Sequence, residues 1–139
     1  DEPPELAPQL GRPVIKAIRL SPSLSSDSTE LKGLAQEVQA WQGIAQAILF
    51  DADSTGFGGS GHQFDWGLLP RLTAGLEHRW VLSGGLTPGN VAQGIQAVQP
   101  PCVDVTSGVE VEEQGIRHKG RKDLRKMEDF LQAVAQTDA

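Results

Sequence analysis

Trp80-Val81-Leu82-Ser83-Gly84-Gly85-Leu86-Thr87-Pro88-Gly89-Asn90-Val91 is the stretch that decides the fold class. A short apolar run halts at a serine and two glycines, and helical apolar spacing resumes after a threonine and a proline, so a buried strand hands the chain directly to a helix. Thr87 is the expected N-cap and Pro88 the first helical residue, with Val91, Ile95 and Val98 on one side and Pro100-Pro101 as the stop. The same strand-then-helix unit recurs on both sides. Upstream, residues 14–20 form a β-branched run between Pro13 and Ser21-Pro22, and from Asp27 the spacing of Leu31, Leu34, Ala35 and Val38 marks a helix. Ala47-Ile48-Leu49-Phe50 reads as a strand buried on both faces and closed by Asp51, and Asp65 caps a helix carrying Trp66, Leu69 and Leu72. Downstream, Cys102-Val103-Asp104-Val105 is the fourth strand, ended by Ser107-Gly108. A last helix from about Asp123 carries Leu124, Met127, Phe130, Leu131 and Val134 on one stripe.

Four β-then-α units in series imply right-handed crossovers and an α/β fold with parallel strands. An open doubly wound sheet and part of a (βα)8 barrel both satisfy this pattern. Both place function at the C-terminal strand ends, here Ser21, Asp51, Ser83-Gly84-Gly85 and Asp104 with Ser107-Gly108.

Composition narrows the function. The 139 residues carry 18 acidic and 12 basic side chains, a formal charge of −6, which argues against nucleic acid as a partner. The one basic stretch, residues 117–126, lacks an aromatic residue for base stacking and reads as a solvated loop entering the last helix. A single cysteine excludes an intrachain disulfide, and no apolar run reaches the roughly 20 residues of a membrane span. No membrane partner and a cytoplasmic setting are therefore expected, or a plastid in a photosynthetic eukaryote. The only methionine is Met127, so the chain is expected to be processed or the tail of something longer.

Gly56-Phe57-Gly58-Gly59-Ser60-Gly61 matches the dinucleotide-binding pattern only formally, because residues 52–55 separate it from the strand and the next helix waits until Asp65. His62-Gln63 stand where a P-loop needs lysine and a hydroxyl. His62, His78 and His118 lack metal-ligand spacing, and no metal site is expected. Asp51, at the end of an apolar strand and with few charged neighbours, is a candidate proton donor, and Asp104 a candidate for orienting substrate hydroxyls; helix capping or a salt bridge in the loop is the competing role for each. Gly84, Gly85, Ser107 and Gly108 end consecutive strands, where backbone N–H groups and close approach suit a phosphate.

The segments Val14-Ile15-Lys16-Ala17-Ile18, Leu49-Phe50-Asp51, Gly58-Gly59-Ser60-Gly61-His62-Gln63-Phe64-Asp65-Trp66, Ser83 to Val91, and Val103-Asp104-Val105-Thr106-Ser107-Gly108-Val109-Glu110 resemble, in order and spacing, the phosphoribosylanthranilate isomerase family of tryptophan biosynthesis. The resemblance implies strands five to eight of a (βα)8 TIM barrel, so that residues 1–139 would form one partial domain, its C-terminal half. It implies a small-molecule phosphosugar substrate, N-(5′-phosphoribosyl)anthranilate, isomerised by an Amadori rearrangement without a cofactor. Asp51 would match the family's general acid, Asp104 a substrate-contacting carboxylate, and Gly84, Gly85, Ser107 and Gly108 its phosphate loops. The family's general base, a first-strand cysteine, has no counterpart here, since Cys102 opens the last strand at the wrong end. The isolated chain is thus expected to be catalytically incomplete. A non-catalytic half-barrel that binds phosphosugars or associates with another half-barrel is the alternative, and an open sheet binding FMN a third reading. Residues 114–123 replace the family's shorter Pro-Gly-x-Lys-Asp turn.

Overall fold

The computed structural model describes residues 3–52 and 64–137. The glycine-rich loop and His62 lie outside the described residues. After a 3₁₀ stretch, Pro4–Leu10, the elements are β1 (Ile15–Leu20), α1 (Thr29–Trp41), β2 (Ala47–Ala52), α2 (Leu69–Thr73), β3 (Trp80–Leu82), α3 (Val91–Val98), β4 (Glu110–Glu113), β5 (Ile116–Lys122) and α4 (Leu124–Ala135). Strands β1, β2 and β3 form a parallel sheet in sequential order, with Ile18 paired to Phe50 and Phe50 to Leu82.

The core lies between this sheet and the helices. Ile18, Leu20, Phe50, Leu69, Leu72, Leu82 and Val91 are fully buried, and Phe50 meets Trp80 edge to face at 6.1 Å. Side chains alternate along a strand, so the residues between these, Arg19 on β1 and Asp51 on β2, share the opposite face. Among the described residues no helix is long and apolar enough to cross a membrane.

Several boundaries differ from the sequence expectation for physical reasons. The expected fourth strand is reduced to one parallel bridge, Leu82 to Val103, made by two hydrogen bonds, Leu82 N–H to the Cys102 carbonyl and Asp104 N–H to the Leu82 carbonyl, both 2.9 Å. The helix expected at Thr87-Pro88 starts at Val91, because the Asn90 side chain reaches back: its Oδ1 accepts from Thr87 N–H at 2.8 Å and its Nδ2 donates to the Gly85 carbonyl at 2.9 Å. Asp65 caps a 3₁₀ turn, Trp66–Leu68, that runs into the five-residue α2. The basic stretch expected as a loop is instead strand β5 of an antiparallel hairpin with β4, closed by Gln114-Gly115 at positive φ. On α4 the apolar stripe is divided: Phe130 is buried, whereas Leu124, Met127 and Leu131 are exposed.

Candidate active site

The strand ends converge. Asp51 is half-buried on β2, and the register sets it beside Arg19 of β1, so the acid expected to have few charged neighbours has a guanidinium on the adjacent strand. On its other side Ser83 N–H donates to the Phe50 carbonyl at 2.9 Å. Ser83 is buried, and its hydroxyl donates to Asp104 Oδ2 at 3.0 Å, which ties the third strand end to the fourth. Asp104 itself is exposed, as a residue meeting a solute would be.

The two glycine turns pack on each other. Gly84 adopts φ +82° and Gly85 φ +65°, left-handed conformations that favour glycine, and a Cβ on Gly84 would collide with the backbone nitrogen of Ala52. A Cβ on Gly108 would collide with the Leu86 carbonyl. Loop 83–87 is therefore wedged between the end of β2 and the 3₁₀ turn Ser107–Val109. Among the described residues, the backbone N–H groups of Gly84, Gly85, Ser107 and Gly108 have no hydrogen-bond acceptor, although all four residues are half-buried. Half-buried donors left without acceptors are costly unless a solute or water meets them, and an anion suits them.

Sequence reading missed the groups that hold these turns. Asn90 was visible only as part of a motif. Arg19 follows from strand alternation once the register is known. Glu110, 3% exposed, is buried beside the second turn: its Oε1 accepts from Gly120 N–H at 2.7 Å and lies 3.5 Å from Lys122 Nζ, and its Oε2 lies 3.6 Å from Arg117 Nε. The Gly120 hydrogen bond holds the Glu110 carboxyl below the usual carboxylate range, opposed by burial and aided by Lys122 and Arg117. Cys102 is exposed.

A family model described as N-(5′-phosphoribosyl)anthranilate (PRA) isomerase matches residues 1–133. The chain belongs to that family. An N-(5′-phosphoribosyl)anthranilate isomerase from Methylibium petroleiphilum is 40% identical over the whole of this chain, which covers 57% of that relative. The crystal structure of phosphoribosyl anthranilate isomerase from Thermotoga maritima matches with a TM-score of 0.68 at 31% identity, over 98% of this chain and 58% of that one. A phosphoribosyl anthranilate isomerase in complex with reduced 1-(o-carboxyphenylamino)-1-deoxyribulose 5-phosphate matches at a TM-score of 0.63 and 28% identity, over 98% and 56%. The chain thus spans little more than half the length of the curated relatives it matches. The motif resemblance and the family assignment agree, and the α/β architecture with its parallel sheet is common to both.

Proposed function

We propose that this chain forms the C-terminal half of a (βα)8 barrel and supplies the acid and the phosphate cradle of phosphoribosylanthranilate isomerase. The observation that carries the reading is the convergence of Asp51, Ser83 to Gly85 and Asp104 to Gly108 at adjacent C-terminal strand ends. A barrel places its chemistry at that end. The related enzyme in complex with a reduced product supports a phosphosugar as the ligand.

Gly84, Gly85, Ser107 and Gly108 hold the phosphate through backbone N–H groups, which fixes the sugar against the sheet. Asp51 gives its proton to the ribose ring oxygen, the ring C–O bond breaks, and the open chain carries an iminium at C1. Loss of the C2 proton to a base then gives an enol-amine, which tautomerises to the 1-amino-1-deoxyketose. Asp104, oriented by the Ser83 hydroxyl, contacts substrate hydroxyls. The base belongs to the other half of the barrel: the resemblance assigns it to a first-strand cysteine, and Cys102 does not fill that position.

In an enzyme containing this chain together with its complementary half, Asp51→Asn lowers kcat by about 10²- to 10⁴-fold with little change in KM. The isolated chain shows no more than residual turnover. Isolated-chain turnover near that of a complete enzyme would overturn the division of labour, and an unaffected Asp51→Asn enzyme would remove the acid assignment.

A second reading has its own observation. Leu124 is 75% and Leu131 65% exposed on one side of α4, an apolar strip of the kind that association covers. Pairing with another half-barrel would cover this strip and the outer edge of β1. A monomer by sedimentation velocity at all concentrations would count against it.

A further inference from the structure

Strand β5 and the start of α4 pack against the turn Ser107–Val109, and the donors they direct at the backbone in and beside it meet carbonyls. The Thr106 carbonyl accepts from Lys122 Nζ at 2.6 Å, and the Glu110 carbonyl accepts from Lys126 Nζ at 2.9 Å. Between them, the Ser107 carbonyl accepts from Glu110 N–H, and the Val109 carbonyl from Asp123 N–H at 2.8 Å. Two carbonyls of this turn and the two that flank it are thus engaged, while the N–H groups of Ser107 and Gly108 have no acceptor among the described residues. Lysine is suited to this task, since its ammonium is a compact triple donor on a long stem.

Lys122 is held in place by charge. Glu110 Oε1 lies 3.5 Å from Lys122 Nζ, and the carboxylate is itself fixed by Gly120 N–H at 2.7 Å. Gly120 can present that N–H because it adopts φ +84°. The cations outnumber the anion: Lys122, Lys126 and Arg117 gather around Glu110, whereas at the outer end of the hairpin Glu113 pairs with Arg121 at 3.2 Å.

We propose that Glu110, Lys122 and Lys126 are positioning residues for the phosphate: the two ammonium groups hold the Thr106 and Glu110 carbonyls, the Glu110 carboxylate anchors Lys122, and the turn is left presenting donors only. The inference rests on the phosphate cradle proposed above and adds to it the residues that shape it.

Simple charge arithmetic and positioning predict opposite signs at Glu110. Removing a negative charge near an anion site strengthens anion binding by Coulomb's law. Losing the group that anchors Lys122 weakens it. Binding of inorganic phosphate and of ribose 5-phosphate to the full chain is measured by calorimetry, with the amide resonances of Ser107 and Gly108 followed in parallel. Glu110→Gln and Lys126→Met are expected to weaken binding at least about tenfold, the effect of one charge-assisted hydrogen bond. Lys119→Met, which removes the same charge as Lys126→Met but from an exposed side chain of β5, is expected to change it less than about twofold. Tighter or unchanged binding by Glu110→Gln and Lys126→Met would overturn the inference and leave the cradle standing. Equal weakening by Lys119→Met would reduce the lysines to a diffuse field and also overturn it. An unsubstituted chain whose Ser107 and Gly108 resonances ignore both ligands would overturn the cradle, and the inference with it. Should Glu110→Gln fail to fold, Lys126→Met and Lys122→Met carry the same comparison.

Discussion

Four glycines sit in such different surroundings that one substitution, glycine to alanine, is expected to move stability in both directions. Gly33 lies in the exposed interior of α1 with no atom within 4 Å of an added Cβ, so Gly33→Ala gains helix propensity worth about 0.5–1 kcal/mol. Gly89 has an ordinary backbone, and the nearest atom, Thr87 Oγ1, is 3.8 Å from the added Cβ, so Gly89→Ala stays within about 0.5 kcal/mol of the parent. Gly108 also has no positive φ, and its cost is purely steric: the added Cβ meets the Leu86 carbonyl and lies 3.1 Å from Thr87 Cα. Both obstacles are backbone, so no rotamer change relieves them, and the two turns must separate at about 2–3 kcal/mol. Gly84 combines a collision against the Ala52 nitrogen with φ +82°, which adds about 1–2 kcal/mol for a left-handed alanine. Urea unfolding of the four variants is the assay, with the slope m monitored so that midpoint shifts report stability. The expected order is Gly33→Ala above the parent, Gly89→Ala level with it, Gly108→Ala well below and Gly84→Ala lowest. A Gly108→Ala midpoint within error of the parent, at unchanged m, would refute the packing of the two turns on which the phosphate cradle depends.

Glu110 ties stability to pH. Its carboxyl is held below the ordinary value in the folded chain, so the stabilisation is complete above the unfolded value of about 4.3 and is lost as pH falls through the lower folded value. Acid titration of the melting temperature is expected to show a steeper decline below about pH 4.3 for the parent than for Glu110→Gln; parallel curves would mean that the carboxyl is not held. At Ser83→Ala the loss of the hydroxyl from exposed Asp104 is expected to cost about 0.5–1.5 kcal/mol in unfolding experiments. In the complete enzyme the same change should raise KM, and an unchanged KM would detach Asp104 from the substrate.

The parallel strands were legible because each is a short local signal, an apolar run between breakers: Pro13 and Ser21-Pro22 bracket β1, and Ser83-Gly84-Gly85 ends β3. The fourth strand was overread because pairing depends on a neighbour, and residues 102–104 have only β3 on one side among the described residues. The start of α3 differs because Thr87-Pro88 carries a strong local cap signal, whereas Asn90, three residues on, takes φ −127°, outside the helical range, with its side chain bound back to Thr87 and Gly85. Strand β5 was hidden by composition: Arg117, His118, Lys119 and Arg121 line a solvated ribbon with no apolar alternation to reveal it. At the site, Asp51 and the paired glycines stood out against apolar strands. Glu110 could not, being one carboxylate in Glu110-Val111-Glu112-Glu113, and its burial depends on Gly120 and Lys122, which only the hairpin brings near.

The two-residue turn at Gln114-Gly115 has a bearing on the order in which the molecule assembles. Both residues have positive φ, 54° and 77°, which is the mark of a tight turn matched to the twist of antiparallel strands. Hairpins of this kind close in roughly 1–10 μs, because their partners are already neighbours along the chain. The β1–β2 ladder, by contrast, joins Ile15 to Ala47 across a whole helix and must wait for slower, non-local search. The one element that departs from the parallel plan is thus free to fold first, with Lys122 already beside Glu110 before the sheet that the turn serves has closed.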